Sequence, residues 1–168
     1  AGAPGILEDL HEQYLLPPLH AGWTVRRKSR HFQSYEELAK RFGKLIGIDP
    51  WLINPIFAKA DAVSLVDGTG METLAAQVDL VLTKTRRKYK EYGINEKPFA
   101  VIKSDNGAYG MGVVTVRDAK DLDVLAQRAQ SQVAADGASQ PVRDLIIQEG
   151  VLTNERIKDA VAEPVVYM

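Results

Sequence analysis

The stretch KPFAVIKSDNGAYGMGVVTV, residues 97–116, holds two runs of strand-forming residues around a glycine-rich loop. Lys103 closes the first run, and Gly107, Gly110 and Gly112 give the loop a G-x-x-G-x-G spacing. This is not the P-loop pattern, because no Gly-Lys-Ser/Thr follows. It is not the dinucleotide fingerprint either, because a strand follows the loop instead of a helix.

A strand, a glycine loop and a returning strand can together cover a triphosphate. Backbone N–H groups turn toward phosphate oxygens, and glycines permit both the φ angles and the close approach. The ammonium of Lys103 at the strand end can point at the same phosphates. The alternative is a plain β-hairpin with a polar loop and a lysine that reaches solvent.

Composition places the chain among ordinary globular proteins. It has 168 residues, of which 45% are hydrophobic and 26% charged, and its net charge of −1 gives no argument for a nucleic-acid or membrane partner. The absence of cysteine excludes disulfides and thiolate metal sites and fits a cytoplasmic protein. Because the chain starts without Met and ends inside the apolar run AEPVVYM, we expect an internal piece of a longer protein.

Hydrophobic spacing predicts helices and strands outside the loop. We expect helices at residues 6–16, from Ser34 as N-cap, at 70–92 and at 118–136. Strands are expected at 62–70, FAVIK, GVVTV, VRDLIIQEGV and AEPVVYM, with 49–61 as an irregular or short helical connection. The helix at 70–92 has one apolar face, formed by Leu74, Val78, Val81, Leu82 and Tyr89. This order predicts an α+β fold, a small mixed or antiparallel sheet with packed helices after a mostly helical N-terminal segment.

Two further segments are candidate sites. The strand DLIIQEGV, residues 144–151, runs into Gln148 and Glu149, whose backbone can meet an adenine edge, or it is an edge strand that leaves the sheet. The run RRKSRH supplies cations for a dicarboxylate substrate, with Arg26, Arg27 and Arg30 as candidates. The alternative for this run is a solvated basic surface or a phosphate-contacting edge.

Three longer strings resemble the proteobacterial-type glutamate–cysteine ligase (γ-glutamylcysteine synthetase) family. They are IDPWLINPIFAKADAVSLVDGTGMETLAAQVD, RRKYKEYGINEKPFAVIKSDNGAYGMGV and IIQEGVLTNERIKDAVAEPVVYM. The lysine-ended strand, glycine loop, returning strand, helix and polar strand end also resemble the ATP-grasp arrangement. The resemblance implies residues 1–61 as an N-terminal, substrate-side segment and residues 62–168 as an ATP-grasp-like nucleotide-binding portion that ends before the metal-binding part.

The resemblance also implies roles for individual residues. Lys103 would hold the α- and β-phosphates, together with an earlier lysine that spacing leaves open among Lys59, Lys84 and Lys88. The residues that would cover the phosphates are Gly107, Gly110, Met111 and Gly112. Those that would line the adenine pocket are Gln148, Glu149 and Val151, and Asn154 or Glu155 would reach the ribose. The magnesium ligands would lie beyond Met168, so no metal ligand is assigned within this chain.

The activity implied is ATP-dependent joining of the glutamate γ-carboxylate to the cysteine amino group through an acyl phosphate, the first step of glutathione synthesis. ATP and Mg²⁺ are the expected cofactors, and the partners are small molecules, with neither nucleic acid nor membrane. Homo-oligomerisation stays open. We expect the isolated piece to be inactive. The alternative is a non-catalytic ATP-binding or regulatory module.

Overall fold

The computed structural model describes residues 13–16, 18, 26–106, 113–136, 143–153 and 155–162. The helices in these ranges are α1 (Lys28–Ile46), α2 (Met71–Glu91) and α3 (Asp121–Asp136), with a 3-10 turn at Pro50–Leu52. The strands are β1 (Phe57–Val63), β2 (Ala100–Ser104), β3 (Val114–Val116), β4 (Arg143–Glu149), β5 (Arg156–Ile157) and β6 (Ala160–Val161).

Strands β1 to β4 form one antiparallel sheet in the order β1-β4-β2-β3, and β5 pairs with β6 in a small hairpin. The small antiparallel sheet with packed helices confirms the predicted α+β class. In the opening stretch, Ala100 pairs with Val116 and Ile102 with Val114, so the predicted strand and returning strand are confirmed. The loop positions Gly107, Gly110, Met111 and Gly112 lie outside the described residues.

Helix α2 and one face of the sheet form the core. The predicted apolar face of α2 is confirmed, since Leu74, Val78, Val81 and Leu82 are fully buried and Tyr89 is 7% exposed. These side chains pack against the sheet residues Ala58, Ala60, Ala100, Ile102 and Ile147, and Leu122 of α3 joins them. Since alternate strand residues point to opposite faces, these sheet positions define a core face.

The first strand lies earlier than predicted. The short helical connection is confirmed by the 3-10 turn at Pro50–Leu52, but only up to residue 56. Residues 57–63 form β1, so the end of the expected connection at 49–61 is a strand, and the strand expected at 62–70 ends at Val63. The alternation of apolar and polar residues in β1 gives only a weak strand signal. Its core-facing positions are small alanines, and its other face carries lysine and aspartate. A bulge ends the strand near Ala62, whose φ is +54°. The expected domain boundary between residues 61 and 62 lies inside β1.

Helix α1 also begins earlier than predicted, at Lys28 instead of after Ser34. The basic run RRKSRH therefore crosses the N-terminal end of a helix. Arg27 is the N-cap in extended conformation and makes no side-chain capping bond. The helix buries Ala39 and Gly43, whereas four of its larger apolar side chains are at least half exposed, namely Leu38, Phe42, Leu45 and Ile46.

Two further predictions concern the ends of the chain, a helix at residues 6–16 and a strand at AEPVVYM. Residues 13–16, the last part of the expected helix at 6–16, are not helical, which fits the restriction that a following proline places on the backbone. The rest of that segment, and AEPVVYM beyond residue 162, lie outside the described residues. None of the helices in the described ranges is long and apolar enough to cross a membrane.

Candidate functional site

Two lysines flank one isoleucine across three adjacent strands. Lys59 of β1 is directly opposite Ile146 of β4, and Lys103 of β2 is opposite Ile146 on its other side. Residues directly opposite one another in a sheet project to the same face. With strands about 4.8 Å apart, the two lysine backbones lie roughly 10 Å from each other. We call Lys59, Ile146 and Lys103 the lysine row, and the side of the sheet that carries it the lysine face.

The register distinguishes among the earlier lysines that spacing left open. Lys59 is on the lysine face, whereas Lys84 and Lys88 belong to α2, which packs on the core face. The Lys88 ammonium contacts Asp49 and also Glu91 at 3.0 Å. Lys84 and Lys88 line a separate cavity of about 440 Å³ between α1, the 3-10 turn and α2. The structure therefore brings Lys59, and neither of the other two, into one row with Lys103.

The two lysines of the row have different electrostatic surroundings. Burial lowers the pKa of the Lys103 ammonium, and the nearby positive charge of Lys28 lowers it further. Lys59 is more exposed, and its hydrogen bond to Asp61, with an N–O distance of 2.7 Å, raises its pKa. A half-buried cation next to another cation favours an anionic ligand, because a ligand charge would offset both effects.

Gln148 lies one position along the lysine face from the row, between Phe57 and Val101. Its side-chain oxygen is buried and has no hydrogen-bond partner among the described residues. A buried amide without a partner costs free energy unless a ligand or water satisfies it. This amide is a candidate contact for a ligand that binds beside the lysine row.

Glu149 points to the opposite face of the sheet from Gln148. Its side chain is 6% exposed, and its carboxylate accepts hydrogen bonds from Trp51 Nε1 at 3.0 and 2.9 Å and from Ile56 N at 3.0 Å. Burial raises the pKa of this carboxyl, and the bonds from Ile56 and Trp51 partly oppose that shift. The side chain is thus engaged in holding residues 51–56 against β4, and the Glu149 N–H donates to Ile56 O at 2.7 Å as well. Neither group is therefore open to a ligand on the lysine face.

The segment after β4 begins with Gly150, a position where the Phe99 ring leaves no room for a side chain. Gly150 donates its N–H to Phe99 O at 2.8 Å, and a Cβ at this glycine would lie 2.0 Å from the Phe99 ring. Val151 follows, 74% exposed, and lines a cavity of about 740 Å³ with Trp51, Tyr89, Ile94, Glu149 and Leu152. Glu155 is exposed before the β5–β6 hairpin, and Asn154 lies outside the described residues.

Sequence reasoning missed the junction between the glycine loop and α1. Asp105, the second residue after Lys103, is fully buried, and its carboxylate accepts from Ser29 N at 2.7 Å and Ser29 Oγ at 2.8 Å. Lys28 N donates to Asp105 O at 2.9 Å. A carboxylate from the end of β2 therefore caps the helix that Arg27 leaves without a side-chain cap. The only sequence signal for this cap is the Asp in SDNG, and an Asp at such a position is equally typical of a turn.

The predicted arginines lie at this same junction. Arg27 donates to Asp144 at 3.1 Å, and Asp144 also accepts from Ala62 N at 3.2 Å, so this guanidinium ties α1 to β4 and β1. Arg26 precedes the helix and Arg30 lies in its first turn, both exposed. Arg27 is thus engaged within the protein, and Arg26 and Arg30 are at the surface.

No group of three or more metal-ligating side chains lies together within the described residues. The fit of a nucleoside triphosphate rests instead on the lysine face. Two lysines in one row supply cations for phosphates, and one position away the side-chain oxygen of Gln148 has no partner in the described part of the chain. These residues fit a phosphate-bearing ligand with a polar base.

Comparison with known proteins identifies the family. A family model described as glutamate-cysteine ligase matches residues 1–168. A crystal structure of a protein described as a gamma-glutamylcysteine synthetase from Methylobacillus flagellatus KT is 45% identical, with a TM-score of 0.78. The match covers 94% of this chain and 37% of that chain, so the chain spans little more than a third of that relative. No curated protein matches. Because the family model matches the whole chain, this chain belongs to the glutamate-cysteine ligase family.

Proposed function

We propose that the protein containing this chain joins the γ-carboxylate of glutamate to the amino group of cysteine with ATP. The chain supplies part of an ATP-grasp-like nucleotide site. The observation that carries the proposal is the lysine row, Lys59 and Lys103 on either side of Ile146, on a sheet face distinct from the helix-covered core. Family membership supports the reaction, and the lysine row supports the proposed triphosphate site.

The lysine row suits phosphoryl transfer to a carboxylate. Such a reaction depends on positioning and on neutralising charge on the transferring group more than on covalent chemistry from the protein. Lys103 and Lys59 would bind phosphate oxygens from two strands of one rigid sheet. The glycine loop that follows Lys103 would cover the phosphates with backbone N–H groups, the role that we propose for Gly107, Gly110, Met111 and Gly112.

The base would bind toward the far end of β4. Gln148 would offer to the base its side-chain oxygen, which has no hydrogen-bond partner among the described residues, while the backbone of Glu149 and Val151 would contact the edge of the base. Glu149 would take part through its backbone carbonyl, because its carboxylate is bound to Trp51 and Ile56 and its N–H donates to Ile56 O. Glu155 would reach the ribose.

Glutamate would be bound near the N-terminal end of α1. Arg30 and Arg26 are the candidates for its carboxylates, since planar guanidinium groups bind carboxylates in bidentate fashion. Arg27 would act indirectly, because it already donates to Asp144. We propose that Mg²⁺ neutralises charge on the phosphates and is held by residues outside this chain. The proposed location is the cytoplasm, where thiols stay reduced.

The test is ADP formation by the full-length protein with ATP, Mg²⁺ and glutamate, with and without cysteine. We expect ADP release that requires both amino acids, with one γ-glutamylcysteine formed for each ADP. ADP formation at the same rate with and without the two amino acids would contradict the ligase proposal. ATP binding without any turnover would favour the non-catalytic module instead.

A matched pair of variants connects the reaction to the lysine row. Lys103→Gln should remove most of the activity, while Lys90→Gln, the same change at an exposed position of α2, should leave it intact. Full activity in Lys103→Gln would separate the lysine row from catalysis even if the ligase reaction itself were established.

A further inference from the structure

One more cation lies beside the proposed phosphate site. Lys28, in the first turn of α1, donates its ammonium to the carbonyl of Ser104 at 2.7 Å, and Ser104 directly follows Lys103. Two lysines from different elements thus meet at the start of the glycine loop. We propose that Lys28 is a third phosphate-binding cation of the nucleotide site, and that Asp105 is the positioning residue that holds it there. This inference rests on the proposed function.

Asp105 holds Lys28 and Ser29, the first two residues of α1, through three hydrogen bonds. Its two carboxylate oxygens accept from Ser29 N and Ser29 Oγ, and its carbonyl accepts from Lys28 N. The carboxylate satisfies the Ser29 N–H, which has no partner inside the helix, and its charge complements the positive end of the helix dipole. Because Asp105 is fully buried, the start of α1 and the end of β2 are held in one arrangement.

The charges at this junction favour an anion. Burial lowers the pKa of the Lys28 ammonium, against an opposing attraction from Asp105. Burial and the charge of Lys28 likewise lower the pKa of Lys103. A polyphosphate bound between the two lysines would relieve their mutual repulsion.

The first test compares Lys28→Gln with Lys44→Gln in the full-length protein. Lys44 lies at the opposite end of the same helix and is exposed, so it is a matched control. Lys28→Gln should raise the dissociation constant of ATP about tenfold, the typical cost of losing a charge-assisted hydrogen bond. Inorganic tripolyphosphate, which lacks base and ribose, should lose affinity by a similar factor, and the KM of glutamate should stay unchanged. Lys44→Gln should change none of these.

Three results would overturn the inference. If Lys28→Gln binds ATP as the wild type does while Lys103→Gln binds it more weakly, Lys28 is not a phosphate ligand and the proposed function is unaffected. If only the KM of glutamate changes, Lys28 belongs to the amino-acid site. If neither lysine variant changes ATP binding, the phosphate site proposed above fails together with this inference.

A double-mutant cycle tests the positioning role of Asp105. Asp105→Asn should weaken ATP binding, and adding Lys28→Gln to it should cost less than Lys28→Gln costs in the wild type, because the lysine is already displaced. Ser29→Ala removes one bond of the junction and serves as a milder variant if Asp105→Asn does not fold. Thermal unfolding followed by circular dichroism identifies a temperature at which all variants are folded, and ATP binding is compared at that temperature. Strictly additive losses would show that Asp105 supports the fold alone.

Discussion

The two faces of one small sheet differ in what their residues can do. On the core face, Ala58, Ala60, Ile102 and Ile147 are buried against α2. On the lysine face, the same strands carry Lys59, Lys103 and Gln148 around a buried isoleucine. Because strand residues alternate, consecutive positions such as Ile146 and Ile147 belong to different faces. A single sheet can therefore separate the residues that stabilise it from those that bind a ligand.

The largest expected effect is on the core face. Ile147→Ala should lower the free energy of unfolding by about 2–5 kcal/mol, since it leaves a cavity in a fully buried cluster. Denaturant unfolding of the full-length protein measures this loss. Ile146→Ala is the matched variant, because Ile146 is equally buried but lies between the two lysines. It should also destabilise the protein, and only it should weaken ATP binding by the folded protein. Equal ATP affinity in the two variants would contradict the difference between the two faces.

The next effect is on the lysine face. Lys103→Gln should weaken ATP binding by about 1.5–3 kcal/mol, or roughly tenfold to a hundredfold, because a charge-assisted contact is lost. The stability of this variant should change little, because the half-buried ammonium has a lowered pKa and pairs with no carboxylate of the described residues. Calorimetric titration with ATP and thermal unfolding measure the two quantities. A large loss of stability with unchanged affinity would assign Lys103 to the fold.

A third prediction concerns pH and the end of β4. Burial raises the pKa of Glu149 above its ordinary value of 4.5. The folded state then holds this proton to higher pH than the unfolded state does, so the contribution of Glu149 to stability is present at low pH and is lost as pH rises through the raised pKa. Glu149→Gln removes this titration. Denaturant unfolding from about pH 4 to pH 8 measures the free energy of unfolding of both proteins. The value for the wild type should fall relative to that of the variant as pH rises. A constant difference would contradict the raised pKa.

The smallest effect is expected at the exposed end of the lysine row. Asp61→Asn removes the partner of Lys59 and should change the free energy of unfolding by only about 0–1 kcal/mol, because solvent screens the pair. It should leave ATP affinity equal to or above that of the wild type, since Lys59 no longer divides its charge between Asp61 and phosphate. Thermal unfolding and ATP titration measure these effects. Weaker ATP binding would show that Asp61 holds Lys59 in place for the ligand.

Much of the fold could be predicted from periodicity. The buried face of α2 and the hairpin around the glycine loop were clear, because large apolar residues recur there at helical or alternating spacing. Strand β1 was misplaced, because alanines fill its core face and two prolines precede it. The early start of α1 was also missed, because its cap is Asp105, a residue from a distant part of the sequence.

The candidate site was predicted less completely. Lys103 was proposed as a phosphate ligand from its position before the glycines, but proposing Lys59 over Lys84 and Lys88 needed the register of β1 against β4. That register depends on pairing between segments almost ninety positions apart, as in Lys59 opposite Ile146. The opposite orientations of Gln148 and Glu149 follow from strand alternation, yet which of them faces the lysines depends on how the sheet packs on α2. Residue type alone does not carry that information.

The most direct test of the lysine face is the chemical reactivity of individual lysines in the full-length protein. Brief acetylation with and without saturating ATP, followed by peptide mass spectrometry, gives a protection factor for each lysine. ATP should protect Lys59 and Lys103 and leave Lys84 and Lys88 unchanged. Protection of Lys84 and Lys88 instead, with Lys59 and Lys103 reacting equally in both conditions, would place the nucleotide elsewhere and contradict the division of the sheet into a core face and a ligand face.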